Sequence, residues 1–389
     1  MDIPDYGAAL RSMHELAPTA VADALAGVAQ AVGAVGIVAY LVDFDQSTLT
    51  PIPARGAQVD LPEPEAVVTS SAGRAFVDRT LVTERRDEGT RVWVPILEGP
   101  DCTGVLAMTI GADVDAATRT RCEELGMLAG CAIALAARST DLYNLVRRRK
   151  AMSLPASLQW DMLPPLHLEI PEASSVGVLE PAYDVGGDSF DHAVNDLNLD
   201  LMIMDAMGHG LRASLSSGLA MGTYRHERRE GQSLPVIHER LDRVVAAEFA
   251  ETFVTGQIAR LAVRTGRLSW VNAGHPAPLL VRAGRVERAL ACRPSLPWGL
   301  GGHVEEEAHE QLEVGDAVLW HTDGVTEGRS PAGEALGGER LVGLVERAAR
   351  SQGPPGPILR QLIHEVLDYQ GHRLRDDATM LWVTWNGPN

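Results

Sequence analysis

The chain has 389 residues, 45% of them hydrophobic, and carries a formal net charge of −18. That length suits two domains with sizeable cores, and the acidic balance excludes a nucleic-acid surface, which needs a basic stripe to neutralise phosphates. Lysine occurs once, as Lys150, and no GxxxxGK[ST] loop is present, which excludes a P-loop nucleotidase.

The N-terminal MDIPDYGAALRS is acidic and has no apolar core, so no secretory leader is expected. AVADALAGVAQAV (20–32) predicts a helix and GIVAYLVD (36–43) a strand that ends at acids. Residues 44–62 are polar and proline-containing, as loops are. SSAGRAFVDR (70–79) has the composition of a short helix. RVWVPILEG (91–99) and TGVLAMTIG (103–111) predict a hairpin. A long helix is expected from about Asp115 into the RRRK cluster at 147–150. Its apolar stretch, LGMLAGCAIALAA (125–137), is too short to span a bilayer, so no membrane partner is expected. Cys102, Cys122, Cys131 and Cys292 are scattered without a CxxC pair. No disulfide framework or thiolate zinc site follows, and a reducing, cytoplasmic location suits them.

Helix, strand, helix, hairpin and long helix make a small α+β domain. Its order of elements, with the pair VWVPILEG…CTGVLAMTI, resembles a GAF domain, a sensory fold; another small α+β module has the same outline. Leu135, Leu142, Leu145 and Met152 lie on a rough heptad seam, interrupted by Arg138 and Arg149. Two readings of this helix stand: a connector that pairs in a homodimer, or a terminal helix packed on its own domain. The arginine run 147–149 reads as a solvated face. Ser153 as cap and Pro155 in the first turn predict a separate helix there. These boundaries give a GAF-like domain over 1–137, a helical connector over 138–163 and a second domain over 164–389.

In the second domain strands are predicted at 176–183, 199–204, 254–263, 268–273, 278–281, 317–321 and 379–385. Helices are predicted at 211–224, 234–248, 338–350 and 356–369. The pattern implies antiparallel sheets flanked by helices. Four acidic sites punctuate it. LDLMIM runs into Asp205, within MDAMGHG. PAYDVGGDSFD sets Asp184, Asp188 and Asp191 around a Gly-Gly turn. AVLWHTDGVTEG ends an apolar run at Asp323, and RDDATMLWVTW places Asp376 and Asp377 just before a strand.

Singly, each site is an ordinary turn or cap. An antiparallel sheet, however, brings several strand ends to one edge. Carboxylates gathered there repel one another and their pKa values rise unless cations intervene. All-oxygen ligands with few histidines suit Mg²⁺ or Mn²⁺ rather than zinc or copper. Two such ions can activate a water for attack on phosphorus.

Residues 158–385 resemble the catalytic domain of metal-dependent protein phosphatases (PPM, type 2C) in the SpoIIE/RsbU-like branch. LQWDMLPP, PAYDVGGDSFD, MDAMGHG, ETFVTGQIARLAVRTGRLSWVNAGHPAPLLV, LPWGL, LEVGDAVLWHTDGVTE and RDDATML carry the resemblance in order. It implies a β-sandwich flanked by helices and two Mn²⁺ or Mg²⁺ ions. Asp205 would bridge them; the Ala206 carbonyl and Asp188 would serve one; Asp323 and Asp376 would hold the other. Asp188 and Asp205 are the implied catalytic pair. Asp377 stands where relatives often have asparagine and would support the ligands from behind. Asp184 replaces the usual glutamate before VGGD, which shortens its reach. Asp191 would support the site or cap a turn. Met207 fills the place of a histidine known in eukaryotic-type relatives; His209, two residues on, is either a proton donor or a helix-start residue. His275 is expected to shape a turn.

The implied reaction is direct hydrolysis of phosphoserine or phosphothreonine by an activated water. The implied substrate is a phosphorylated STAS-type anti-sigma-factor antagonist, with the N-terminal domain acting as regulator through the helix at 210–225. A non-catalytic scaffold of the same fold and a small-molecule phosphatase are the alternatives.

Overall fold

The computed structural model divides the chain into two units, Met1–Ala151 and Met152–Asn389. It describes residues 17–388 apart from 54–60, 88, 112, 185, 250, 305, 352, 373 and 375. The acidic N-terminal dozen, much of the loop expected at 44–62, and residues 185 and 375 of the acidic motifs lie outside the described residues.

The N-terminal unit is a six-stranded sheet in the order β3-β2-β1-β6-β5-β4. Its strands are β1 (Ala34–Val42), β2 (Thr48–Pro51), β3 (Glu65–Ala66), β4 (Val82–Arg86), β5 (Gly89–Glu98) and β6 (Asp101–Ile110). Alternation along β5 explains how both faces are covered. Val92, Val94 and Ile96 point to a core shared with helices α1 (Val21–Ala31) and α3 (Ala116–Ala137). Trp93 points the other way, to a core shared with Tyr40, Phe76 and α2 (Ser71–Asp78). In α3 the two glycines of LGMLAGC have a purpose. A Cβ at Gly126 or Gly130 would overlap the carbonyl of Pro95 or Leu97, so only glycine lets this helix lie so close to β5.

The expected helix from 115 to 150 is broken. Asp115 caps α3, its carboxylate accepting the Thr118 N–H at 2.7 Å, but the helix stops at Ala137. A short α4 (Leu142–Arg147) follows. The intervening RSTD holds serine, threonine and aspartate, whose side chains compete for backbone groups and favour turns. Thr140 Oγ1 does so, accepting the Leu142 N–H at 3.2 Å. The basic run, exposed at Arg149 and Lys150, is also bonded to the sheet. Arg147 donates to the Val42 carbonyl at 3.0 Å and stacks 4.4 Å above the Phe44 ring. Arg149 donates to Thr48 Oγ1 at 2.5 Å and lies 3.7 Å from the buried Asp43 carboxylate. Lys150 pairs with Asp45 at 3.1 Å. Together these staple residues 147–150 onto the β1–β2 turn.

The C-terminal unit opens with α5 (Leu154–Met162), capped as expected: Ser153 Oγ accepts the Ala156 N–H at 3.2 Å. Two sheets follow. One runs β15 (Ala308–Gln311), β12 (Arg267–Ala273), β11 (Val254–Ala262), β10 (Asn198–Ala206) and β9 (Ser189–Asn195), the other β14 (Arg285–Ala289), β13 (Leu279–Arg282), β16 (Ala317–His321), β17 (Ala378–Trp385), β8 (Ala173–Glu180) and β7 (His167–Ile170). Their facing sides share one core, with Phe190, Leu201, Ile203 and Leu261 against Leu280, Val318, Trp320 and Leu381. On the outer face of the first sheet lie α6 (Leu211–Arg229) and α7 (Leu234–Glu248), over Met202, Met204 and Ile258. A one-turn α8 (Asp323–Thr326) follows β16. On the outer face of the second sheet lie α9 (Gly337–Ala349) and α10 (Pro355–Tyr369), over Leu319, Met380 and Trp382. The result is a β-sandwich between two helical layers.

Strand register sets where the acids go. β9 (Ser189–Asn195) pairs antiparallel with β10 (Asn198–Ala206), Ser189 opposite Met204, so Asp188 and Asp205 leave the same end. β16 (Ala317–His321) pairs antiparallel with β17 (Ala378–Trp385), His321 opposite Met380, so Asp323 follows one strand where Asp376 and Asp377 precede the other.

Candidate metal centre in the C-terminal unit

The structure brings the expected acids into one electrostatic cluster. Burial pushes the Asp188 carboxyl well above the usual range, and the charges of Asp205 and Asp377 push it further. Burial also carries Asp205 up to about 7, with Asp323, Asp376 and Asp377 adding to it; a hydrogen bond with Asp188 opposes the rise. Asp323 is raised by burial, then by Asp376 and Glu327. Asp377, raised to about 7 chiefly by burial, is at the same time a structural clamp. Its Oδ2 accepts the N–H of Gly186 at 2.6 Å and of Asp188 at 3.3 Å. Asp376 is exposed at the rim.

Ala206 is fully buried at the end of β10, and its N–H donates to the Gly187 carbonyl at 3.3 Å. A Cβ on Gly187 would overlap the Ala206 carbonyl, so glycine is required for the two backbones to meet beside the acids. Helices hold this turn from outside. Ser214 Oγ donates to the Gly186 carbonyl at 3.1 Å and Ser217 Oγ donates to that of Gly187. From α5, Gln159 Nε2 donates to the Asp188 carbonyl. The i, i+3 spacing of Ser214 and Ser217, just after the glycine motif, was a usable signal for one helix face. Nothing in the local sequence marked Gln159.

The other expected residues have different surroundings. Asp184 and His209 are exposed. Asp191 is buried and bonded by Arg225 at 2.7 Å and Arg228 at 2.8 Å, tying β9 to α6. His275 forms a turn: its N–H donates to Asn272 Oδ1 and its carbonyl accepts from Asn272 Nδ2, each at 2.8 Å. Burial, then His321, depress its imidazole to about 3. It is a neutral side chain bonded through Nδ1 to Thr255.

The donor set is all oxygen, from aspartates that repel one another, with a backbone carbonyl at its edge. That chemistry fits hard divalent cations, although among the described residues no three His, Cys, Asp or Glu side chains already form a closed cation cage. The raised acids make a stability prediction. With Asp205 at about 7 against an ordinary 3.8, the folded chain holds a proton that the unfolded chain releases. The stabilisation is complete below the ordinary value and is lost as pH rises through about 7. In EDTA, the melting temperature is expected to fall between pH 5 and pH 8, and added Mn²⁺ is expected to restore it. A melting temperature in EDTA that rises over that interval would contradict the cluster's electrostatics.

Residues 195–386 match the family described as Stage II sporulation protein E (SpoIIE). The C-terminal unit is a SpoIIE-family domain. The chain is 24% identical over 240 residues to Protein IcfG of Synechocystis sp., covering 54% of this chain and 37% of that protein. It is also 24% identical over 214 residues to the phosphoserine phosphatase RsbU of Bacillus subtilis, covering 54% of this chain and 63% of RsbU. It therefore spans less than two thirds of either relative. Among solved structures, the SiaA-PP2C domain of Pseudomonas aeruginosa superposes with a TM-score of 0.51 at 20% identity, over 59% of this chain and 94% of that domain. The SpoIIE-family unit thus has a PP2C-like fold of sheets and helices. Among the described residues, no helix is long and apolar enough to cross a membrane.

Proposed function

We propose that the C-terminal unit is a metal-dependent protein phosphatase that hydrolyses phosphoserine or phosphothreonine. The observation that carries this reading is the meeting of five aspartates from the ends of β9, β10, β16 and β17, with four of them held above the usual carboxylate range. Asp205 would lie between two Mg²⁺ or Mn²⁺ ions, Asp188 and the Ala206 carbonyl on one, Asp323 and Asp376 on the other. When bound, the ions supply charge neutralisation for the phosphate and a water able to attack phosphorus in line. The chain's own residues keep the geometry. Asp377 pins the Gly186–Asp188 backbone, and Ser214, Ser217 and Gln159 hold its carbonyls. The seryl or threonyl oxygen leaves as the phosphate is released, with no covalent intermediate on the protein.

Likeness to RsbU supports a phosphorylated STAS-type anti-sigma-factor antagonist as the substrate class. The antiparallel sheet of the N-terminal unit supports a GAF-like sensor, and its exposed Leu135 and Leu145 supply apolar surface for a homodimer, which sedimentation of the full chain tests. Because α5 and α6 touch the Asp188 turn, a signal that shifts either helix would change the metal site as a population shift. The decisive assay incubates the purified chain and a phosphorylated STAS domain with and without Mn²⁺, beside residues 152–389 alone. Mn²⁺-dependent release of phosphate is the expected result. Release of phosphate only from small esters would remove the protein substrate, and equal rates from both chains would remove the regulation.

A further inference from the structure

Thr322 occupies the N-cap of α8, the helix that begins at Asp323, yet its side chain makes no cap hydrogen bond. Threonine at that place ordinarily bonds a backbone N–H of the first turn. Here the hydroxyl is spent elsewhere, and it is fully buried. Thr322 Oγ1 accepts the Thr379 N–H at 3.0 Å, while the Thr322 N–H donates to the Thr379 carbonyl at 3.0 Å. The hydroxyl thus stands in for a carbonyl, carrying the β16–β17 ladder one step past its last backbone pair, His321 with Met380.

A hydroxyl that accepts one hydrogen bond still has its own hydrogen to give. With the Thr379 N–H fixing the oxygen, that hydrogen is directed to Asp188 Oδ2, 2.7 Å away. The bond crosses from one sheet to the other, since Asp188 precedes β9 and Thr322 follows β16. Asp188 is then held at its N–H by Asp377, at its carbonyl by Gln159 and at its Oδ2 by Thr322, besides the side-chain bonds it shares with Asp205 and Thr379.

We propose that Thr322 is a positioning residue: its hydroxyl holds Oδ2 of Asp188 and so fixes how that carboxylate faces a divalent ion. This rests on the metal reading of the site. A carboxylate anchored through one oxygen loses the freedom to rotate away, and outer hydrogen bonds of this kind support metal affinity about 10–100-fold.

The test titrates Mn²⁺ calorimetrically into the metal-stripped full chain and into Thr322→Val and Thr322→Ser, with thermal melts to show that each folds. Valine keeps the shape and loses the hydroxyl; serine keeps the hydroxyl and loses the methyl. The expected result is affinity weakened about 10-fold or more by valine and kept by serine. Wild-type affinity in the valine variant, or equal losses in both, would overturn the inference while leaving the metal site intact. No Mn²⁺ binding by the unaltered chain would overturn the metal reading and this inference with it. If the valine variant does not melt cooperatively, Thr322→Cys, a weak donor of similar size, carries the same expectation.

Discussion

Asp205→Asn is expected to lower Mn²⁺-dependent turnover on the order of 10²–10³-fold, the scale seen when one preorganised electrostatic partner of a transition state is removed. Asp205 is the residue whose carboxylate feels Asp188, Asp323, Asp376 and Asp377 together. An amide has nearly the same shape but cannot carry the charge that would hold two cations. The same substitution removes one member of a set of mutually repelling acids. In EDTA at pH 8, where Asp205 is otherwise ionised at a cost, the asparagine variant is therefore expected to melt at a higher temperature than the unaltered chain. Loss of activity joined to a gain in metal-free stability separates a functional acid from a structural one. Full activity in Asp205→Asn would end the phosphatase mechanism drawn here, and lower stability in EDTA would show that the acid serves the fold.

Asp191→Ala is expected to have the opposite character. This aspartate is 1% exposed and accepts from Arg225 and Arg228, whose side chains are 25% and 8% exposed. Arg225 also donates to the Met162 carbonyl at 2.8 Å. Removing the shared anion leaves two guanidinium groups without compensation, one of them nearly dry. Breaking a buried pair from one side costs about 3–5 kcal/mol. Urea unfolding of the variant should show that loss as a lower midpoint with an unchanged slope. Activity should fall as well, because α6 carries both Arg225 and the serines that bond Gly186 and Gly187. A loss below about 1 kcal/mol, the range of exposed pairs, would mean that α6 is held mainly by its apolar face.

Long apolar runs with clear ends were legible from the residues alone. The helix expected at 234–248 is found at Leu234–Glu248, and the strand expected at 317–321 at Ala317–His321. Short edge strands were not legible. Thr48–Pro51 fell inside an expected loop, and Arg285–Ala289 and Ala308–Gln311 are too polar for alternation to show. β9 was hidden for another reason. Its SFDHAVN places Asp191 and His192 in the interior, and their partners, Arg225, Arg228, Ser175 and the Pro165 carbonyl, come from other parts of the chain.

Asp205, Asp323, Asp376 and Asp377 announced their place, since each ends or begins an apolar strand, while Asp188 was marked only by its Gly-Gly turn. What orients them did not. Nothing in the sequence singled out Thr322 or Gln159, and Asp377 was placed behind the ligands only through the family resemblance. Their roles depend on partners far along the chain, and short-range pattern carries no trace of them. The helix running to residue 150 failed for a local reason that the residues did contain: RSTD is a poor helix interior.

The staple on the β1–β2 turn gives this chain an unusual chemical handle. Lys150 is its one lysine, its side chain is 69% exposed, and its ammonium is paired with Asp45. An amine-reactive fluorophore would therefore attach at one side chain, one residue before the boundary between the units. Acylation neutralises the ammonium, so labelling also cuts one stitch of the staple. Dye mobility at that point would report how firmly the remaining arginines hold the exit of the N-terminal unit.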